Sequence, residues 1–566
     1  MSGTVFHVRM LDCIYLLDIS PMANLLKISS ARRVLVDMAM ILRVMYRLPR
    51  YLRNPLTIPE CRAILRRRLE RRERDFLDLM QRSVFANTTS PYLSLLRLAG
   101  CEYGDLERLV LHDGVEHTLR MLFREGVYLT LDEFKGRQPV VRGNTTVTDR
   151  PNKRRTGNPE LLRNPLSVPH LWASTSGSRG TATSIRLDLA CVRDRAVNLH
   201  LSLDARGGAN WQNAVWSTRG ITPLLWFSGC GTPPARWFLQ VDPRALRMRS
   251  NFWWRAQVIV WTSRLAGVHI PTPEYAPIDA PVRIVEWMEN ARKEGTVPHL
   301  WGSPSSVVRL FRAAEKAGVD LAGTRFTITG EPVTDACLAV IRRGHGDALP
   351  DYGSADSGGS ISYGCLSPQA PDDVHVFSDL KAVIQADDPP FPKGALLVSS
   401  IRPTTPFVFL NVSMGDRATM TDRSCGCPLE TLGWKTHLHT IRSYEKLTAG
   451  GMTFEDIDIV RVLEEVLPSR FGGGPTDYQL IEDNGDDGQP RLRLLVHPAI
   501  GPVDPVVVCS VFLGAIGGND ENKQHMAIHW RRAGFLRIDR EAPRTSSSGK
   551  ILHFVTALAD QSGVPG

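Results

Sequence analysis

Thr175-Ser176-Gly177-Ser178-Arg179-Gly180-Thr181-Ala182-Thr183 is the stretch on which the fold reading turns. It is rich in Gly, Ser and Thr and almost free of apolar side chains. Val168 to Ala173 before it reads as a strand entering a turn, and apolar and polar residues alternate again from Ser184 to Leu189. Such a turn offers several backbone N–H groups and hydroxyls to one anion, and glycine lets the backbone approach an oxygen-rich ligand. The stretch therefore reads as a loop that holds a nucleotide triphosphate. It is not a Walker A loop, because no Gly-Lys-Ser/Thr closes it. By itself it also fits a plain surface turn, so the rest of the chain decides.

The chain has 566 residues, too many for one core, which predicts at least two domains. Its net charge of +9 is spread out, and the densest basic run, Arg66 to Arg74, is interleaved with Glu70 and Glu73. That run predicts a solvated helix with i,i+4 pairs and not a nucleic-acid arm, so no nucleic-acid partner is expected. Most of the ten cysteines stand singly in apolar settings, as Cys337 and Cys509 do, which suits reduced thiols in a cytoplasmic protein. No signal peptide is visible. The apolar run Val34 to Tyr46 is too short for a bilayer and is interrupted by Asp37 and Arg43, so no membrane span is expected.

Along the chain, residues 1–165 read as a mainly helical region. Ile58 to Met80 carries apolar residues at helical spacing, and Pro91 to Leu98 and Gly104 to Phe123 continue the pattern. Asp149 to Asn164 reads as an exposed connection. From the Gly/Ser/Thr loop onward the pattern is mixed α/β. Ala256 to Trp261 reads as a buried strand, Ser305 to Ala317 as a helix closed by Gly318, Gly323 to Thr329 as a strand and Val333 to Arg343 as a helix. Strand–turn–helix units in series predict a largely parallel sheet with ligands at the strand ends. A strand follows at Gly394 to Ser400. From Ile441 on the pattern is a compact α+β unit: a helix over Phe454 to Leu467, strands near Leu492 to Val496 and Val506 to Ser510, and a helix around Asn519 to Ala533.

Five turns in this order carry a resemblance: Thr175 to Thr183, Gly330-Glu331-Pro332, Tyr352-Gly353-Ser354-Ala355-Asp356, Gly415-Asp416 and Ser547-Ser548-Gly549-Lys550. Together they resemble the adenylate-forming superfamily of acyl-CoA synthetases and peptide-synthetase adenylation domains, and within it the phenylacetate–CoA ligase group. The resemblance covers about residues 165–560. It implies an α/β fold with a large mixed α/β domain over 166–442, a small α+β domain over 443–566, and a helical region before them. It implies activation of an aryl or other hydrophobic carboxylic acid by ATP and Mg2+ to acyl-AMP, with pyrophosphate released. The acyl group then passes to CoA; a carrier-protein thiol or an amine stays open as acceptor, and so does a homodimer.

Roles carry over position by position. The loop Thr175, Ser176, Gly177, Ser178, Arg179, Gly180 and Thr181 would cradle the β- and γ-phosphates. Gly330, Glu331 and Pro332 would line the adenine site, with Tyr352 stacking on the base beside Gly353. Asp356 stands where the family has a Glu that binds magnesium, Asp416 would take the ribose hydroxyls, Arg442 would lie near the interdomain hinge, and Lys550 would reach the α-phosphate and the carboxylate. The chemistry agrees with that set: adenylation asks the protein to hold two anions together and to offset charge on the α-phosphate. Read without the resemblance, Tyr352 could be a core aromatic, Asp416 a turn former, Lys550 a solvated tail lysine, and Trp253 and Trp254 core. The chain departs from the family at Arg179, Ala355, Asp356 and Asn411-Val412-Ser413-Met414, which keeps open a nucleotide-binding protein without catalysis.

Cys425-Gly426-Cys427, with Cys365 and His375 upstream, supplies three thiols and one imidazole, enough for tetrahedral zinc. Some members of the phenylacetate–CoA ligase group show a similar set at this place. Four protein ligands leave no open position, so a Zn2+ here would be structural.

Overall fold

The computed structural model describes residues 29–148, 160–174, 184–218, 220–242, 252–444, 447–449, 452–454, 456–484, 490–517, 536–545 and 550–555. The amino-terminal region is helical, with breaks that periodicity alone does not reveal. Helix α1 runs Ser29–Arg53. The stretch read as one helix to Met80 is two, Ile58–Glu70 and Arg72–Met80, because Arg71 leaves helical geometry at φ −105°. Gly104 to Phe123 likewise divides at Gly114, whose φ of +81° suits glycine. Helix α2, Leu131–Phe134, is one turn held by a capping box: Glu133 N–H donates to Thr130 Oγ1 and Thr130 N–H to Glu133.

The basic run is not simply a solvated face. Arg68 and Arg72 are buried, and Arg68 reaches Asp194 at 2.5 Å and Asp379 at 3.2 Å. Burial is tolerable only because each guanidinium is paired. Asn164, read as part of an exposed connection, is buried too and donates to the Pro403 and Thr405 carbonyls.

A six-stranded parallel sheet forms the centre: β1 Trp211–Ser217, β2 Arg236–Leu239, β3 Pro273–Tyr275, β4 Val297–Gly302, β5 Arg325–Thr329 and β6 Asp347–Asp351, in the order β6-β5-β4-β1-β2-β3. Its faces are separate: Val215 joins one apolar cluster while Ala214 and Trp216 join the other. The segment read as a strand at Ala256 to Trp261 is instead helix α3, Phe252–Leu265. Its buried residues Phe252, Ala256, Ile259, Val260 and Ser263 recur at helical spacing, and a six-residue apolar window was too short to show it. Helix α4, Pro304–Ala317, ends as expected at Gly318, in left-handed geometry at φ +67°.

An antiparallel sheet follows: β7 Ser362–Gly364, β8 Val374–Val376, β9 Lys381–Ala386, β10 Ala395–Ser400, β11 Val412–Asp422 and β12 Thr436–Ser443, in the order β7-β8-β12-β11-β10-β9. The last sheet contains β13 Tyr478–Asn484, β14 Pro490–Val496, β15 Leu536–Asp539 and β16 Phe554–Val555 in the order β15-β14-β13-β16. It packs on helix α5, Pro505–Gly517, where a strand over Val506 to Ser510 was expected. Val508, Phe512, Leu513 and Ile516 face the core at helical spacing. The helix expected around Asn519 to Ala533 lies outside the described residues. Among the described residues, no helix is long and apolar enough to cross a membrane.

Candidate active site and metal centre

Strands β5 and β6 are parallel and in register, with Thr329 opposite Asp351. Gly330-Glu331-Pro332 and Tyr352-Gly353 therefore leave adjacent strands at the same carboxyl end, the position where open α/β sheets bind ligands. Thr329 Oγ1 donates to the Asp351 carbonyl at 2.6 Å and ties the two exits together. Gly353 must be glycine, because a Cβ there would lie 2.5 Å from Ser360 Cα.

Into this end comes Lys550, 220 positions away in sequence, whose Nζ donates to the Gly330 carbonyl at 2.7 Å. Gly330 has φ +81°, so the backbone calls for glycine, and a Cβ there would displace the Lys550 ammonium, 2.4 Å away. Glu331 accepts from Ser305 N–H and Oγ at 2.8 Å each, and from Ile551 N–H at 3.2 Å. Burial pushes the Glu331 carboxyl above its ordinary range, against these hydrogen bonds and the charge of Lys550. Burial pulls the Lys550 ammonium down, and Glu331 opposes it. Each group thus feels the charge of the other, which the resemblance did not specify.

Tyr352 and Asp416 also meet: Tyr352 Oη donates to Asp416 Oδ2 at 2.9 Å. Asp416 follows Gly415, at φ +85°, in strand β11. Burial first, and then the Asp416 carboxylate, push the Tyr352 phenol well above its usual value. Arg442 Nη1 donates to Asp372 at 2.8 Å, and Asp372 also accepts from Thr440 and Ile441 N–H at 2.7 Å each. These bonds brace Thr440, a β-branched residue at φ +55°.

Asp356 is buried, and Lys135 Nζ donates to its Oδ2 at 2.7 Å while Oδ1 has no hydrogen-bond partner. Lys135 follows helix α2 in the amino-terminal region, and sequence reasoning missed it. No local signal links two residues 221 positions apart. Desolvation raises the Asp356 carboxyl, and Lys135 lowers it. Asn411, one of the departures from the family pattern, explains how Lys135 is delivered. It has φ +51°, and its side-chain amide donates to the carbonyls of Leu119 at 2.8 Å and Val127 at 3.1 Å. Leu129 N–H donates to the Asn411 carbonyl at 3.0 Å, and Ser413 N–H to the Leu129 carbonyl at 2.9 Å. The altered tract is the seam that fastens the amino-terminal region to the sheet.

The phosphate loop from Thr175 to Thr183, and Ser547-Ser548-Gly549, lie outside the described residues. The loop's flanks, Leu171–Ser174 and Ser184–Leu187, pair antiparallel with Ser174 opposite Ser184.

Cys365, His375 and Cys425 come together as expected, and with His437 their ligand atoms lie within 4.8 Å of one another. Cys427 Sγ is 3.2 Å from His375 Nε2. The sequence reading missed His437, although it stands beside His375 across strands β8 and β12. His375 Nδ1 meets the Trp434 carbonyl at 2.7 Å and His437 Nδ1 meets Asp373 at 2.8 Å, which turns both Nε2 atoms toward the thiols. Buried His437 Nε2 has no hydrogen-bond partner. Oxygen acceptors on the far nitrogen are the usual supports of metal-binding imidazoles. A hydrogen bond from Cys365 pushes the Cys427 thiol down, although burial opposes it. The donor set fits a zinc ion, with five candidate donors for four positions.

No family model matches the chain, and no curated protein matches it. Solved structures do. The chain is similar to 2-hydroxyisobutyryl-CoA ligase in the postadenylation state with R3-HIB-AMP, at TM-score 0.50 and 15% identity over 90% of this chain and 91% of that one. With 2-HIB-AMP the same ligase gives TM-score 0.50 and 13% identity over 89% and 91%. The α/β fold is therefore that of the adenylate-forming CoA ligases.

Proposed function

We propose that this protein activates a carboxylic acid with ATP as acyl-AMP, releasing pyrophosphate, and then passes the acyl group to the thiol of CoA. The observation that carries the reading is Lys550, brought from the far end of the chain to the Gly330 carbonyl beside the Tyr352–Asp416 pair. A lysine there provides a compact positive charge for the α-phosphate and the acid. Asp416 would accept the ribose hydroxyls, Tyr352 and Gly330-Glu331-Pro332 would border the base, and the loop from Thr175 to Thr181 would hold the terminal phosphates. Asp356, with its unpartnered Oδ1, would hold Mg2+ and through it the phosphates, while Lys135 keeps the other carboxylate oxygen. Arg442 would brace the hinge between units over 166–442 and 443–566. A cytoplasmic enzyme of the phenylacetate–CoA ligase type, acting on an aryl or other hydrophobic acid, fits these residues. Pyrophosphate exchange with a panel of aryl and alkyl acids tests this; folded protein that exchanges with none of them would sink it. The Lys135–Asp356 pair favours one other reading, a nucleotide-binding protein without catalysis. Calorimetry with Mg·ATP showing binding, and no turnover of any acid, would favour that second reading.

A structural Zn2+ would sit among Cys365, His375, Cys425, Cys427 and His437, joining β7, β8 and β12 to the turn before Pro428. Freshly purified protein should contain about one zinc per chain, and Cys365→Ser should lower the melting temperature more than it alters ATP affinity. Metal-free protein of normal stability would remove the site.

A further inference from the structure

One face of the molecule is explained neither by the core nor by the site. Helices α1 and α3 lie side by side. Ile41 and Val44 of α1 share a crevice with Val258 and Ile259 of α3, and Arg53 Nη2 donates to the Leu265 carbonyl at 2.7 Å. The first contact is at the middle of both helices and the second at the end of both, so they run in the same direction. Their inner stripes, with Val44 and Leu48 on one and Ala256 and Ile259 on the other, are buried. Their outer stripes are apolar too. Met38, Leu42 and Met45 are exposed at 56%, 55% and 48%, and Trp254, Trp261 and Leu265 at 71%, 70% and 68%. Spacings of four and three in α1, and of seven and four in α3, hold each set on one helix face. Helices side by side on one core turn those faces to the same side. Apolar side chains this exposed and this grouped mark an interaction surface, because isolated exposed residues are ordinary and a two-helix stripe is not.

The charge on the same helices identifies the partner. From Met38 to Arg53 and from Phe252 to Leu265 there are six arginines, Arg43, Arg47, Arg50, Arg53, Arg255 and Arg264, and no acidic residue; Asp37 is the one acid on the two helices. Arg50 lies over the Tyr46 ring at 4.3 Å, and Arg255 over Trp172 at 4.0 Å. Tryptophan and leucine flanked by many arginines and a single acid is the pattern of a helix that lies in the plane of an anionic lipid surface. A second copy of the chain is a poorer occupant, since a twofold contact through this face would set six arginines against six.

We propose that the α1–α3 face docks on an anionic lipid surface, with Leu42, Trp254, Trp261 and Leu265 in the headgroup–acyl boundary and the arginines at phosphate level. The proposal is independent of the acyl-transfer reading.

Co-sedimentation of the full chain with phosphatidylcholine vesicles, with and without about 30% phosphatidylglycerol, tests it. Binding to the anionic vesicles should be at least about tenfold tighter than to neutral ones and should weaken as salt rises. Lipids with brominated acyl chains should quench tryptophan emission. Trp254→Ser with Trp261→Ser should lose about tenfold or more in affinity and should lose the quenching, with an unchanged melting temperature, because both side chains are exposed. Three results would each overturn the proposal: no binding to either vesicle, binding that the double variant leaves intact, or a dimer that the double variant dissociates without any vesicle binding.

Discussion

Two lysines reach the candidate site from opposite ends of the chain, and the regions that deliver them are attached differently. Lys135 comes from the amino-terminal helices, which share one apolar core with the antiparallel sheet and are pinned to it by Arg68–Asp379 and by Asn411. Lys550 comes from a unit with its own core, from Ile459 to Phe554. That unit meets the rest mainly through polar contacts, beside a small crevice that Pro475 and Ile551 share with Pro304, Val308 and Pro332. Arg312 holds Asp477 with two hydrogen bonds at 2.6 and 2.8 Å, Thr334 pairs with Glu464, and Ile551 N–H donates to Glu331. A shared core cannot be separated without exposing apolar surface to water, whereas polar contacts between two closed cores can be exchanged for water at little net cost. The difference makes Lys135 a fixed charge and Lys550 a removable one.

The largest effect should come from removing the removable charge. Lys550→Ala should lose acyl-AMP formation by ~10²–10³-fold, and keep its melting temperature and its conversion of pre-made acyl-AMP to thioester. Normal adenylation by this variant would erase the contrast.

Lys135→Met should act on stability instead. It leaves the Asp356 carboxylate buried without its cation, at a cost of about 3 kcal/mol near neutral pH. The pH dependence has a definite sign. The folded Asp356 carboxyl already titrates above its ordinary value of 3.8. Its contribution to stability is therefore present below that value and is lost as pH rises through the folded one. Without Lys135 the folded value rises further, so denaturant melts should show a larger deficit at neutral than at acidic pH. A deficit independent of pH would mean that Lys135 is not the partner that matters.

Asn411→Gly keeps the left-handed backbone and removes the amide that serves the Leu119 and Val127 carbonyls. The loss of two buried hydrogen bonds predicts a loss of about 2 kcal/mol, read by chemical denaturation. Unchanged stability would show that the seam lies elsewhere.

The smallest effect belongs to the other interface. Arg312→Met removes a partly exposed pair and should cost less than about 1 kcal/mol in stability. It should shift the ratio of adenylation to thioester formation a few-fold toward the thioester, because it loosens the unit that carries Lys550. Equal changes in both half-reactions would argue against a latch at Arg312.

Much of the fold could be read along the chain. Pro304 and Gly318 bracket helix α4 because proline suits a helix start and glycine the left-handed stop. The parallel sheet followed from strand–turn–helix units in series. Helices α3 and α5 were misread because Val258-Ile259-Val260-Trp261 and Val506-Val507-Val508 are β-branched and aromatic runs too short to separate the two periods. What they pack against decides between them. In the site, the turns were legible, and the partners that hold them were not. Tyr352 with Asp416, and Lys550 with the Gly330 carbonyl, are pairs made by folding.

The sequence by itself determined that a helix stops at Gly318, that Gly330-Glu331-Pro332 is a turn, and which turns carry polar groups suited to a nucleotide. These are local properties, fixed by sterics and hydrogen bonding within a few residues. The tertiary structure alone decided that Lys135 meets Asp356, that Arg68 is an interior ion pair and not a solvated charge, and that His437 joins His375 beside the three thiols. Those outcomes depend on which surfaces are buried together, and burial changes what a charge costs. A lysine or histidine has no fixed role until the fold sets its neighbours and removes its water.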